Sequence, residues 1–194
     1  MSLPLDLRVA LSPTETYRQL IAEPVNGTWL RVLERLAFVA ILIGTAVTLS
    51  SARRLPPGLV LTGIVCWSFV PITQWLIGLV VIGRAPGRAV SVPRCLELLF
   101  AGHLPWSLWM LVMIGIDTFT PAPIPLVIQV LSLLVPALWT TIILSAFCRT
   151  ALDCTPPHAH LLIVAHQALT WTAFFGYVLL VTGLWPRVLA FVGA

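Results

Sequence analysis

The sequence predicts an all-α membrane protein with five transmembrane helices and a short N-terminal amphipathic helix. Hydrophobic residues make up 59% of the 194 residues and charged residues only 9%, whereas soluble domains are about half apolar and a quarter charged. Five apolar stretches are each long enough to cross a hydrocarbon core of about 30 Å. We therefore expect a cytoplasmic segment over residues 1–32 and a single membrane domain over residues 33–194.

The polar N-terminal segment contains a predicted helix over residues 13–22. Ser12 is placed to cap it, Pro13 suits the first turn, and Glu15 completes a predicted capping box. The helix is expected to end before Glu23, because a residue that precedes a proline, here Pro24, is disfavoured in the helical conformation.

One face of this amphipathic helix is apolar, because Tyr17, Leu20 and Ile21 are three and four residues apart. Such a face suits the membrane surface, the protein's own bundle, or a partner. Together with the loop that carries Arg84 and Arg88, it is the predicted interaction surface. The expected partners are the lipid bilayer and a second membrane protein or another copy of this chain.

The distribution of arginine predicts the orientation in the membrane. The predicted spans cover 33–52, 58–83, 95–116, 125–148 and 161–185. With the N-terminus in the cytoplasm, eight of the eleven basic residues, all arginine, lie on the cytoplasmic side. The positive-inside rule thus predicts a cytoplasmic N-terminus and a C-terminus on the outside. These arginines flank the spans, so lipid headgroups and not nucleic acid are the expected anionic partner.

Three prolines lie near the middle of their spans, at Pro71, Pro105 and Pro136. Each removes a helix hydrogen bond and clashes with the preceding turn, so we expect kinks near the midplane. The kinks either shape the packing or, together with Glu97, form a polar path for a substrate. Glu97 also has a simpler interpretation, in which it pairs with Arg94 near the start of its helix.

Two histidines are candidate cofactor ligands. His103 and His166 lie in spans that enter the membrane from the same side. At similar depth they would offer axial nitrogens to a haem or a chlorophyll-type pigment. In the alternative interpretation each histidine is hydrogen-bonded to a carbonyl or to Gln167 or Gln129 inside the bundle, and no cofactor is bound.

The last cytoplasmic loop contains candidate metal ligands. Cys154, His158 and His160, together with Cys148, carry side chains that zinc prefers. Their spacing is not that of a common structural zinc site. The alternative is that the histidines lie at the surface and the cysteines stay reduced on the cytoplasmic side.

Several short motifs resemble the Yip domain family of small five-span membrane proteins, in its prokaryotic branch. They are Leu11 to Leu20, Trp75 to Gly78, the turn Gly83 to Arg88, His103 to Pro105, Trp139, and the segment Arg149 to His160. The resemblance implies a five-span fold in the inner membrane of a bacterium. Eukaryotic members are associated with Rab-type GTPases, vesicle traffic and membrane curvature, but a shared fold does not transfer those partners to a prokaryotic protein.

The sequence lacks a glycine-rich phosphate loop, a nucleophile elbow and paired carboxylates, so no enzyme is predicted. The expected function is that of a non-catalytic scaffold or interaction protein in membrane organisation or complex assembly. One alternative is a small transporter or transporter subunit. The other is an accessory subunit of a redox or photosynthetic complex that binds haem or pigment through His103 or His166.

Overall fold

A computed structural model describes residues 4–23, 28–120 and 124–180. Within these ranges the regular elements are all helices, which confirms the predicted all-α class. They are α1 (Leu5–Leu11), α2 (Pro13–Ala22), α3 (Trp29–Ala52), α4 (Pro57–Trp67), α5 (Phe69–Gly83), α6 (Val92–Ala101), α7 (Leu104–Phe119), α8 (Leu126–Ser132), α9 (Leu134–Thr150) and α10 (Pro156–Leu179).

Four helical stretches are long and apolar enough to cross a membrane: 29–52, 57–83, 92–119 and 127–150. Large apolar side chains such as Phe38, Leu61 and Leu138 are about two-thirds exposed on their outer surface, as expected for residues that face lipid. The prediction of a membrane protein with several spans is thereby supported. α10 covers most of the predicted fifth span, whose residues 181–185 lie outside the described ranges, so the count of five stays a prediction.

Three of these stretches are interrupted near a proline, as predicted. Pro71 is the third residue of α5, Pro105 the second of α7 and Pro136 the third of α9. A proline ring clashes with the carbonyl four residues earlier, and that residue is in each case the last one of the preceding helix. These last residues are Trp67, Ala101 and Ser132. The local effect of each proline thus accounts for the position of each break.

α2 has the predicted bounds, but the predicted capping box is absent. The sequence analysis did not anticipate α1, which ends directly before Ser12. The amide of Ser12 donates to the carbonyl of Arg8 at 2.9 Å, so this amide is not free for the carboxylate of Glu15. Glu15 instead accepts a hydrogen bond from Gln19 at 2.9 Å. The capping prediction was therefore wrong because the helix in front of it was missed.

The α1–α2 hairpin packs against one end of the bundle, which we call the hairpin end. Tyr17 is fully buried, Leu20 is 5% exposed, and Ile21 packs against the same core. Polar contacts hold the hairpin to α3, α6 and α9: Arg35–Asp6 at 2.8 Å, Trp139 Nε1 to the Ala10 carbonyl at 2.9 Å, and Tyr17 Oη to the Leu98 carbonyl at 3.2 Å. The apolar face of α2 therefore packs on the protein's own bundle and is not available to a partner.

The close-packed core lies at the hairpin end. It is formed by α1, α2, the start of α3, the end of α5, α6, the end of α9 and the start of α10. α6 is buried on every side from Arg94 to Ala101, whereas in α7 the buried residue is Pro105. The third span is thus central in its first half only. Its second half borders a cavity.

Candidate functional site

A cavity of about 640 Å³ lies between the helices on the side of the breaks away from the hairpin. Residues of α3, α4, α5, α7, α8, α9 and α10 line it. All three helix breaks contribute to its wall, through Phe69, His103 and Leu133. The breaks therefore coincide with the transition from a packed half of the bundle to a hollow half.

The order of residues along α7 gives the axis of the cavity. His103 lies at the break, Trp106 lies one turn further, and Asp117 lies near the end of the helix. His103 and Asp117 are fourteen positions apart in the chain, which corresponds to about 21 Å along a helix. We call the region around His103 the floor of the cavity and the region around Asp117 its mouth.

Aromatic side chains form much of the wall between floor and mouth. Trp106 of α7 and Trp171 of α10 meet edge to face across the cavity, with ring centroids 5.6 Å apart. Trp171 also stacks on Phe175, at 5.7 Å. Along the chain, Trp106 follows His103 on α7 and Trp171 follows His166 on α10 by about one turn, so the pair lies between the floor and the mouth. Further aromatic lining residues are Trp67, Phe69, Trp109 and Phe174.

His103 is held by the protein through both ring nitrogens. Its Nδ1 lies 3.2 Å from the Leu99 carbonyl oxygen and its Nε2 lies 3.4 Å from the Gln74 amide. Gln74 in turn contacts Thr170 at 3.3 Å. If the oxygen and nitrogen of the Gln74 amide are exchanged, Thr170 donates to Gln74, Gln74 donates to His103, and a neutral His103 donates to Leu99. The contact with Leu99 is the kind of carbonyl contact predicted for His103, but its glutamine partner is Gln74 and not Gln167 or Gln129.

His166 is different, because neither ring nitrogen has a hydrogen-bond partner within the described part of the chain. The residue is only 4% exposed and lines the same cavity as His103. Thr140, 6% exposed, also lines the cavity, and its hydroxyl has no partner among the described residues. An unsatisfied buried polar group costs about 1–3 kcal/mol. The described part of the chain thus leaves three polar atoms beside the cavity without a hydrogen-bond partner.

The mouth of the cavity carries one carboxylate. Asp117 accepts a hydrogen bond from the Ser50 hydroxyl at 3.3 Å, and its backbone carbonyl accepts one from Arg53 at 3.2 Å. The ionisable groups among the described lining residues are this carboxylate and the imidazoles of His103 and His166. Because the remaining wall is mainly apolar and aromatic, the cavity suits a molecule with little or no charge.

Glu97 does not line this cavity. Its carboxylate is 2.8 Å from Arg94, and the two side chains are 7% and 4% exposed at the hairpin end. Arg31 approaches Glu97 at 3.8 Å from a half-exposed position. Arg94 also donates to the Leu20 carbonyl of α2 at 3.5 Å. The predicted pairing of Arg94 with Glu97 is therefore confirmed, and the structure does not bring Glu97 together with the helix breaks that border the cavity.

Of the four candidate metal ligands, the structure brings Cys148 and Cys154 together, with the Cys154 amide donating to the Cys148 carbonyl at 3.0 Å, but it does not bring the two histidines to them. Cys154 is buried, His158 contacts the Arg84 carbonyl at 3.2 Å, and His160 is exposed. Residues two apart on a helix face in different directions, which keeps the two histidines apart. Burial, and to a lesser extent the charge of Asp153, raises the pKa of the Cys154 thiol, which disfavours the thiolate that binds metal. Over the described ranges, no three histidine, cysteine or acidic side chains converge.

The remaining predicted interaction residues, Arg84 and Arg88, are exposed in the loop between α5 and α6. Sequence reasoning missed Thr140, Gln74 and the Trp106–Trp171 pair. The available signal was the spacing of tryptophan, which follows His103 by three residues and His166 by five. That spacing becomes informative only when the two helices are known to face each other.

No protein family model, no curated protein and no solved structure matches this chain. The resemblance to the Yip domain family therefore stays a prediction.

Proposed function

We propose that this protein is a small, non-catalytic membrane transporter or transporter subunit that takes a mostly apolar molecule into the cavity between its broken helices. The observation that carries this proposal is the asymmetry of the bundle. One half is closely packed beneath the α1–α2 hairpin, and the other encloses about 640 Å³. A cavity that is closed at one end and bordered by movable half-helices is what a carrier requires in one of its two states.

The helix breaks support a carrier more strongly than a rigid binding protein. Transporters place their substrate sites near the midplane, at interrupted helices. Here α4–α5, α6–α7 and α8–α9 are interrupted beside the cavity. With the hairpin end in the cytoplasm, as the arginine distribution predicts, the cavity opens towards the outer face of the membrane.

A scaffold function is the second candidate. It is favoured by the exposure of Arg84 and Arg88, which lie in the loop on the hairpin side of the bundle. However, the apolar face of α2, the other predicted contact surface, is covered by the bundle. A scaffold would have to act through the arginine loop and the lipid-facing helices.

Cavity occupancy is tested with a pair of tryptophan substitutions on α7. Met110 lines the cavity, whereas Leu108 is 46% exposed on the outer surface. The full-length protein is purified in mild detergent and extracted with organic solvent, and bound small molecules are identified by mass spectrometry. We expect a molecule that co-purifies with the wild type and with Leu108→Trp and is depleted at least fivefold in Met110→Trp. Equal recovery from both variants would contradict the proposal.

Movement is tested by adding single cysteines and measuring their labelling with a membrane-impermeant maleimide. Labelling of the wild type, which comes from the native cysteines, is subtracted. Met113 lines the cavity, and Ile143 is 1% exposed in the core at the hairpin end. In a carrier, the maleimide reaches Met113→Cys from the mouth side in one state and Ile143→Cys from the hairpin side in the other state. If Ile143→Cys in folded protein is never labelled from that side, the protein binds its ligand without transporting it.

A further inference from the structure

We propose that the floor of the cavity binds the head group of a neutral, lipid-soluble phenol or quinol through His166 and Thr140. This inference rests on the proposed function, because it names the class of molecule that the cavity accepts. It is carried by the three buried polar atoms that the described protein leaves without partners: Nδ1 and Nε2 of His166 and Oγ1 of Thr140.

The hydrogen-bonding capacities of these atoms define the head group. A neutral imidazole offers one N–H donor and one nitrogen acceptor, and a hydroxyl offers one donor and two lone pairs. A phenolic hydroxyl matches this set, because it donates to the unprotonated nitrogen of His166 and its oxygen accepts from Thr140. A quinol presents such a hydroxyl at either end of its ring. His103 needs no such ligand, since Leu99 and Gln74 occupy its ring nitrogens.

The aromatic wall favours a planar ring in the head group. Trp106 and Trp171 meet edge to face one turn above the floor, where a ring bound at His166 would contact them. Aromatic pairs gain from stacked or edge-to-face contact in addition to the area they bury. A flat, polar-edged head group therefore fits between the tryptophan pair and the two unpartnered side chains.

Charge and length define the rest of the ligand. A charged head group at the midplane would lack a fixed counter-charge, since the carboxylate of Asp117 lies at the mouth, about 21 Å along α7 from the floor. A single ring fills only part of 640 Å³. Apolar lining residues between floor and mouth, such as Val47, Met110 and Ile114, provide a surface for an alkyl or isoprenoid tail.

A haem or chlorophyll-type pigment fits these residues less well. Ligation by both histidines would require His103 to give up its contacts with Leu99 and Gln74. The propionates of haem require cationic partners, and the described lining residues include Asp117 and no arginine. His166 alone offers a free axial nitrogen, so a His166-dependent haem is an outcome that the experiment must detect.

The test measures binding of a decyl-substituted benzoquinol to the full-length protein in detergent, by quenching of tryptophan fluorescence and by thermal stabilisation. Two variants remove the proposed contacts, Thr140→Val and His166→Leu. Two matched controls change Thr150 of α9, whose hydroxyl bonds to the Ala146 carbonyl at 2.6 Å outside the cavity, and the exposed His160. They are Thr150→Val and His160→Leu.

We expect saturable binding that weakens at least tenfold in Thr140→Val and His166→Leu and less than threefold in the controls. Without ligand, Thr140→Val should be at least as stable as the wild type, because a methyl group replaces an unsatisfied hydroxyl of similar shape. If the Thr140 hydroxyl instead made a hydrogen bond that stabilises the fold, Thr140→Val would lower the melting temperature.

Equal binding by all four variants would overturn the proposal, as would a Soret absorption band that disappears in His166→Leu. The experiments distinguish a wrong ligand class from a wrong proposed function. If a co-purifying molecule is displaced by Met110→Trp but carries neither a phenol nor a quinol group, the cavity functions as proposed and the assigned ligand class is wrong.

Discussion

Replacing Glu97 with leucine removes one partner of the buried ion pair at the hairpin end and leaves the guanidinium of Arg94 without its counter-charge. The two groups are 2.8 Å apart, and the Arg94 side chain is 4% exposed. With an effective dielectric constant of about 20, Coulomb attraction at this distance is about 6 kcal/mol. Most of it offsets the desolvation of the two charges. Because the lone guanidinium cannot regain water, we expect Glu97→Leu to lower the free energy of unfolding by about 3–5 kcal/mol.

Two controls separate the loss of the ion pair from the loss of packing. The double variant Arg94→Met/Glu97→Leu fills the same space without charge, so its stability should return to within about 1 kcal/mol of the wild type. Arg31 also approaches Glu97, but at 3.8 Å and with a side chain 49% exposed. Arg31→Ala should therefore change the free energy of unfolding by less than about 1 kcal/mol.

The assay is equilibrium unfolding of the purified variants by SDS in mixed micelles, followed by circular dichroism. If Glu97→Leu costs no more than Arg31→Ala, the reasoning from burial is refuted. The same variants test the predicted polar path. Because Glu97 is absent from the cavity wall, Glu97→Gln should retain the co-purifying molecule at the wild-type level, and loss of that molecule from folded protein would assign Glu97 to the path.

Two further predictions concern packing and pH. A Cβ at Gly44 would lie 2.7 Å from the backbone of Gly63, whereas one at Gly58 would meet nothing within 4 Å, so Gly44→Ala should lower the free energy of unfolding by about 1–3 kcal/mol and Gly58→Ala should change it by less than about 0.5 kcal/mol. Burial, with smaller contributions from Cys148 and Asp6, raises the pKa of Tyr17 above its usual value of 10.0. The stability that this pKa shift provides is present below pH 10 and is lost as the pH rises further. Tyr17→Phe should lower the free energy of unfolding by about 1 kcal/mol at pH 8. Between pH 10 and pH 11, the free energy of unfolding of this variant should fall less than that of the wild type in the same assay.

The sequence predicted features whose cause is local. Each helix break follows from a proline acting on its own chain four residues earlier. The pairing of Arg94 with Glu97 follows from a spacing of three residues on one helix. The end of α2 at Ala22 follows from the proline after Glu23. None of these features depends on which helices become neighbours.

The features that the sequence did not predict depend on contacts between distant segments. The capping box failed because α1 provides the carbonyl that binds the Ser12 amide. The contrast between His103 and His166 depends on Gln74, which is 29 residues before His103 and lies on another helix. The cavity arises from the relative positions of several helices, and no single stretch of the sequence encodes it.

The division of the bundle into a packed half and a hollow half has a consequence for how this protein can diverge. Substitutions in the cavity wall remove few contacts from the core formed by α6 and its neighbours, so they have a small effect on folding. Changes at positions such as Met110, Val130 or Thr170 can therefore accumulate while the hairpin end maintains stability. Variants of this chain can therefore change the shape and polarity of the cavity wall without rebuilding the fold.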